Sequence, residues 1–120
     1  MDWSLYPNFT EAEFRCRHCG RQRMQPEFME KLQALRSQFG KPLRVTSGYR
    51  CPDHPIEKAK PHPGMHATGL AADLEVQDGD AVSVLHLALG LGFRGIGVQQ
   101  KGAGRFLHLD LRREPTIWSY

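Results

Sequence analysis

Two stretches of the chain alternate strictly between apolar and polar positions. In residues 70–76, Leu70, Ala72, Leu74 and Val76 fall on one side of an extended segment, with Ala71, Asp73 and Glu75 on the other. In residues 105–111, Leu107, Leu109 and Leu111 face one way, while Phe106, His108 and Asp110, followed by Arg112, face the other. Both read as half-buried strands. A 3.6-residue period replaces the alternation in residues 26–39, where Phe28, Leu32, Leu35 and Phe39 form one stripe. Pro26 in its first turn and Gly40 just past its end bracket that helix.

The other elements follow from shorter signals. Residues 43–47 are β-branched and alternating, hence a strand that Gly48 ends, and residues 95–98 make another. Residues 77–80 read as a turn and helix cap before a mostly buried, apolar-rich helix over 81–91, with Val82, Leu85 and Leu89 on one face. Thr10 and Glu13 fit a capping box on a short helical turn, preceded by an arm anchored by Trp3, Tyr6 and Phe9. Residues 49–66 contain Pro52, Pro55, Pro61 and Pro63, too many for regular structure, and a loop this long in a small domain is usually functional. The tail, residues 114–120, is expected to fold back across a cleft.

These elements predict a single α+β domain: a small, mostly antiparallel sheet with helices packed on one side and the other face open. Length agrees, since 120 residues supply one core and not two. No apolar run approaches the ~18–20 residues that cross a bilayer, so no membrane partner is expected. The net charge of +3 comes from scattered rather than clustered basic residues, which argues against nucleic-acid binding. Residues 1–8 have neither a basic start nor an apolar stretch, so synthesis without a secretory signal is expected.

The polar faces carry the chemistry. If the strands over 70–76 and 105–111 are neighbours with their apolar sides on one core, Asp73, His108 and Asp110 share the opposite face. His66 reaches them from the preceding loop, because Pro61, Pro63, Gly64 and Gly69 rule out a continuous helix there. Two imidazoles and a carboxylate around an open position make a catalytic zinc site, where bound water ionises near pH ~7. Asp110 is the first choice for a proton carrier; the alternative is an acceptor that holds a ligand ring. Arg50 offers a fork for a substrate carboxylate, or an ion pair with Asp53 or another acid. Cys16, Cys19, Cys51 and His54 have the residue types of a second, structural zinc site, against unpaired thiols or one disulfide with a free cysteine.

With these residues in order, the chain resembles the zinc D-Ala-D-Ala carboxypeptidase family of cell-wall peptidases. That group also takes in lysostaphin-type peptidases and the Sonic hedgehog amino-terminal domain, and the likeness is to its short, often phage-borne members. The resemblance rests on Phe14-Arg15-Cys16, Leu32 with Arg36, Ser47-Gly48-Tyr49-Arg50, His66-x-x-Gly69-x-Ala71-x-Asp73, Gly95-Ile96-Gly97 and residues 106–112 with Trp118. It implies zinc ligands at His66, Asp73 and His108, and substrate contacts at Arg50 and Ser47. Trp118 is a candidate groove wall beside them.

The chain departs from the family at Gly64, where a serine is usual, and through Pro55 and residues 60–63. It departs again at Arg105, where relatives often carry a glutamate. The expectation is a monomeric zinc peptidase of peptidoglycan stem peptides. It would be made in the cytosol and act at the cell wall or periplasm after release, or travel in a phage particle. The competing expectation is a non-catalytic module that keeps the metal scaffold for binding.

Overall fold

A computed structural model describes all of residues 1–120. Three helices, α1 (Pro26–Phe39), α2 (Pro55–Lys58) and α3 (Asp78–Leu91), accompany five strands: β1 (Arg44–Ser47), β2 (Ala71–Glu75), β3 (Gly95–Gln99), β4 (Phe106–Asp110) and β5 (Thr116–Ser119). The strands lie in the order β1-β2-β4-β3-β5. All pairings are antiparallel except that of β3 with β5. The architecture is the expected α+β domain with a mostly antiparallel sheet.

One face of the sheet is apolar because of the alternation. Ala72, Leu74, Ile96, Leu107 and Leu109 are buried there in the same core as Phe28, Met29, Leu32 and Leu35 of α1. Helix α1 starts with Pro26 in its first turn and ends where Gly40 takes a left-handed φ of 76°, as its flanking residues predict. The amino-terminal arm adds aromatic weight: Trp3 and Phe9 pack on Phe14 with ring centroids 5.4 and 5.8 Å away. The Thr10 backbone N–H donates to the Glu13 carboxylate at 2.7 Å, which makes the capping box real.

Three expectations need correction. Helix α3 begins at Asp78, and its buried residues are Ala81, Val84 and Ala88; Val82 and Leu89 are 69% and 58% exposed. The small side chains let α3 lie close against α1 and the sheet, and this turns the larger ones outward. The proline-rich stretch is not without regular structure, since it holds α2 and a 3-10 turn, Met65–Thr68. Pro55 sits in the first turn of α2, where its missing N–H costs nothing. The tail does not cross a cleft but extends the sheet as its edge strand β5. No helix is long and apolar enough to cross a membrane.

Candidate metal centre

Residues paired directly across neighbouring strands point to the same face of a sheet. The registers align Ser47 with Asp73, Asp73 with His108, His108 with Gly97, and Gly97 with Trp118. One row therefore crosses the open face with the two polar ligand candidates at its centre. Gly97 is what lets the row close up. A Cβ there would stand 2.9 Å from both His108 Cβ and the Trp118 ring, whose centroid lies 5.0 Å from that of His108. In the next row Asp110 faces Gly95, where a Cβ would overlap the carboxylate.

His66 arrives from the 3-10 turn before β2, as the breaker residues predict, and is buried with Asp73 and His108. Its Nε2 is 3.2 Å from His108 Nδ1 and 3.3 Å from Asp73 Oδ1, and the last two atoms are 3.1 Å apart. The other nitrogen of each ring decides what these contacts mean. His66 Nδ1 lies 2.7 Å from the Gly48 carbonyl oxygen, which can only accept, so Nδ1 carries the proton. His108 Nε2 lies 2.7 Å from Asp110 Oδ2 and donates likewise. In their neutral forms both rings therefore aim a lone pair at the third corner, a carboxylate oxygen.

Three electron-rich atoms facing one another repel unless a cation or protons sit among them. The spacing fits a metal ion: a tetrahedral centre with bonds of about 2.0–2.1 Å separates its ligand atoms by about 3.3–3.4 Å. Without an ion, protons do the work. Burial opposes charge on Asp73 and His108 more than any other single influence. Hydrogen bonds outweigh it in both cases, from His108 and His66 to Asp73 and from His108 to Asp110 and Asp73. The Asp73 carboxyl is held well below the usual carboxylate range, and the His108 imidazole is raised.

The carboxylates and arginines around the triangle are engaged. Asp110 is fully buried; the Arg112 backbone N–H and Nε donate to its Oδ1 at 3.0 Å each, and Arg112 Nη2 to its Oδ2 at 2.6 Å. Burial raises its pKa, but His108 and Arg112 more than compensate and hold the carboxyl well below its ordinary value. Arg112 in turn stacks over Trp118, 4.5 Å from the ring centroid. Arg50 donates from Nε to Ser47 Oγ at 3.1 Å, and from its two terminal nitrogens to Glu57 and Asp73 at 3.4 Å each. Its ion-pair partners are thus Glu57 and Asp73, not Asp53.

The remaining residues singled out by the sequence lie away from this triangle. His54 does not join the converging cysteines; its Nδ1 accepts from the Ile56 N–H at 3.1 Å and caps α2. Cys16, Cys19 and Cys51 do converge, with sulfur atoms within 4.8 Å of one another. Burial lifts the Cys16 thiol, but backbone N–H groups of Cys51, Cys19 and His18 overcome this and bring it down to about 7. Arg105, at the position where relatives often carry a glutamate, turns to Asp78 at 3.1 Å.

Sequence reasoning missed Glu57, whose buried carboxylate accepts from Arg50, from Lys60 at 3.0 Å and from the Gly64 N–H at 2.7 Å. Pro55 was its available signal, since a proline after a polar residue marks a first helical turn. It also missed the Gly48 carbonyl that fixes the His66 tautomer, and Gly97, whose glycine on the polar side of a strand marks a close approach.

Fold and site together define the class: a small α+β domain built around one centre of two histidines and an aspartate. Over residues 7–110 the chain matches Peptidase M15, and it belongs to that family, the zinc metallopeptidases of the D-Ala-D-Ala carboxypeptidase type. No curated protein matches it.

Proposed function

We propose that the protein is a zinc peptidase of peptidoglycan stem peptides, with the ion on His66 Nε2, His108 Nδ1 and Asp73 Oδ1. The observation that carries this is the convergence of two imidazole lone pairs and a carboxylate, each ring locked by its other nitrogen, on the open face of a sheet in an M15 chain. When bound, zinc supplies Lewis acidity that polarises a carbonyl oxygen and acidifies water.

The chain's own residues do the rest. Asp110 is a positioning residue: it fixes His108 in the tautomer that presents Nδ1, and Arg112 holds it in place. Arg50 holds the outer oxygen of Asp73 and ties it to Glu57. Trp118 walls one side of the centre. All three ligands come from one chain, so a monomer suffices. On this reading the protein works at the cell wall, as a lysin released from the cytosol or as part of a phage particle.

Incubation with purified peptidoglycan, followed by mass spectrometry of the muropeptides, tests the proposal. Free D-Ala marks a carboxypeptidase and new amines mark an endopeptidase; either must vanish with a chelator and return with zinc. A second reading, a zinc-loaded binding module without turnover, is favoured by one observation: Asp110 and Glu57 are both engaged by cations. Zinc-loaded protein that leaves every muropeptide intact establishes that reading instead.

A further inference from the structure

The cysteine cluster lies outside the centre just described and has no part in it. Cys16 and Cys19 sit on a turn in which the Gly20 N–H donates to the Cys16 carbonyl at 2.8 Å and the His18 N–H points at Cys16 Sγ, 3.4 Å away. Cys51 comes from the segment after β1, and its own N–H also points at Cys16 Sγ, at 3.3 Å. Backbone N–H groups aimed at a sulfur stabilise it as a thiolate acceptor. Cys16 Sγ receives both N–H groups, and the sulfurs of Cys19 and Cys51 lie within 4.8 Å of it and of each other, nearly as close as the ~3.8 Å that a tetrahedral zinc with 2.3 Å bonds imposes. A disulfide uses two sulfurs and strands the third, whereas a thiophilic ion uses all three.

We propose that Cys16, Cys19 and Cys51 hold a second, structural zinc ion. The chain would supply three sulfur ligands, which bind such an ion as thiolates, and solvent from the adjoining groove would complete the set. Cys19 and Cys51 line a surface groove of about 680 Å³, which gives the ion a way in. Cys16 and Cys51 are buried, while Cys19 is exposed.

The position of the cluster gives the ion a task. Residues 48–51 are held from one side by the amino-terminal segment, where the Tyr49 N–H donates to the Phe14 carbonyl at 3.0 Å. From the other side they hold the His66 turn: the Gly48 carbonyl accepts from His66 Nδ1, and the Arg50 N–H donates to the His66 carbonyl at 3.2 Å. An ion joining Cys51 to the Cys16–Cys19 turn rivets this segment in place. His66 and Arg50 are then fixed from behind, with no contact between the two metals.

Cobalt distinguishes the sites, because only thiolate ligands give intense near-ultraviolet sulfur-to-cobalt charge transfer. The full chain is purified under reducing conditions, stripped, and titrated with cobalt; zinc is counted in parallel by mass spectrometry of the elements. Wild type is expected to bind about two ions and to show the charge-transfer bands, and Cys19→Ser to bind about one ion with the bands lost. Cys19 is exposed, so this variant keeps its core. His108→Ala keeps the bands while losing the other ion, which separates a failure at the catalytic centre from one at the cysteines. Cobalt-loaded wild type without sulfur charge transfer overturns the proposal. So does Cys19→Ser protein with unchanged metal content, or a disulfide among the three cysteines in the reduced preparation.

Discussion

Replacing Asp110 by asparagine separates a group that positions His108 from one that carries protons. Both carboxylate oxygens face donors: Oδ1 takes the Arg112 N–H and Nε, and Oδ2 takes His108 Nε2 and Arg112 Nη2. Either orientation of an amide therefore sets an NH₂ against a donor. If it faces His108, the imidazole responds by moving its proton to Nδ1, the atom that must present a lone pair to the metal. If it faces Arg112, a guanidinium loses its bonds to one oxygen.

Loss of a carboxylate behind a ligand histidine lowers metal affinity roughly 10–100-fold, or about 1.4–2.8 kcal/mol. Zinc competition against a chromophoric chelator at pH 7 reads that change. Turnover on peptidoglycan should then recover to within about tenfold of wild type at saturating zinc. Loss of a proton carrier behaves differently, holding the rate down by about 10²–10⁴ at any zinc concentration. Unchanged zinc affinity in Asp110→Asn, or a rate that saturating zinc does not restore, refutes the positioning role.

Other outcomes follow from the same geometry. His66→Ala and His108→Ala should each lose the catalytic-site ion and all hydrolysis, as read by metal content and muropeptide analysis. Gly97→Ala places a methyl against His108 and Trp118, and overpacking of this kind costs about 1–3 kcal/mol, measurable by urea unfolding. Arg50→Ala leaves the buried Glu57 with Lys60 and the Gly64 N–H only, which should cost about 2–3 kcal/mol of stability; a raised KM at unchanged stability would instead make Arg50 a substrate contact.

The metal-free protein should also have a bounded pH range. The lowered carboxyls of Asp73 and Asp110 stabilise it above about pH 4 and are lost as the pH falls toward their folded values. The raised His108 stabilises it below about pH 6.5 and is lost as the pH rises through its folded value. Urea midpoints should peak between those limits and flatten when zinc is restored.

The strands and the ligand set were legible because both are written in short-range patterns. Period-two alternation put Asp73 and His108 on one side of their strands, and Pro61, Pro63, Gly64 and Gly69 forced His66 into a turn. What escaped the sequence depends on packing at a distance. Nothing local says that the glycine at 97 makes room for Trp118 from a strand 19 residues later, or that β5 runs parallel to β3. In helix α3 the spacing of Val82, Leu85 and Leu89 marks one face without saying whether it turns inward, and contact with α1 and the sheet selects Ala81, Val84 and Ala88 instead. Arg50 found Glu57 rather than Asp53 because α2 buries Glu57, and a four-residue helix leaves almost no periodic signal.

Crystals grown with zinc and measured at the zinc absorption edge test the centre itself. The account predicts an anomalous peak about 2.0–2.1 Å from His66 Nε2, His108 Nδ1 and Asp73 Oδ1, with His108 Nε2 still on Asp110. A peak bound through His108 Nε2, or none among these three side chains in hydrolytically active protein, would contradict it.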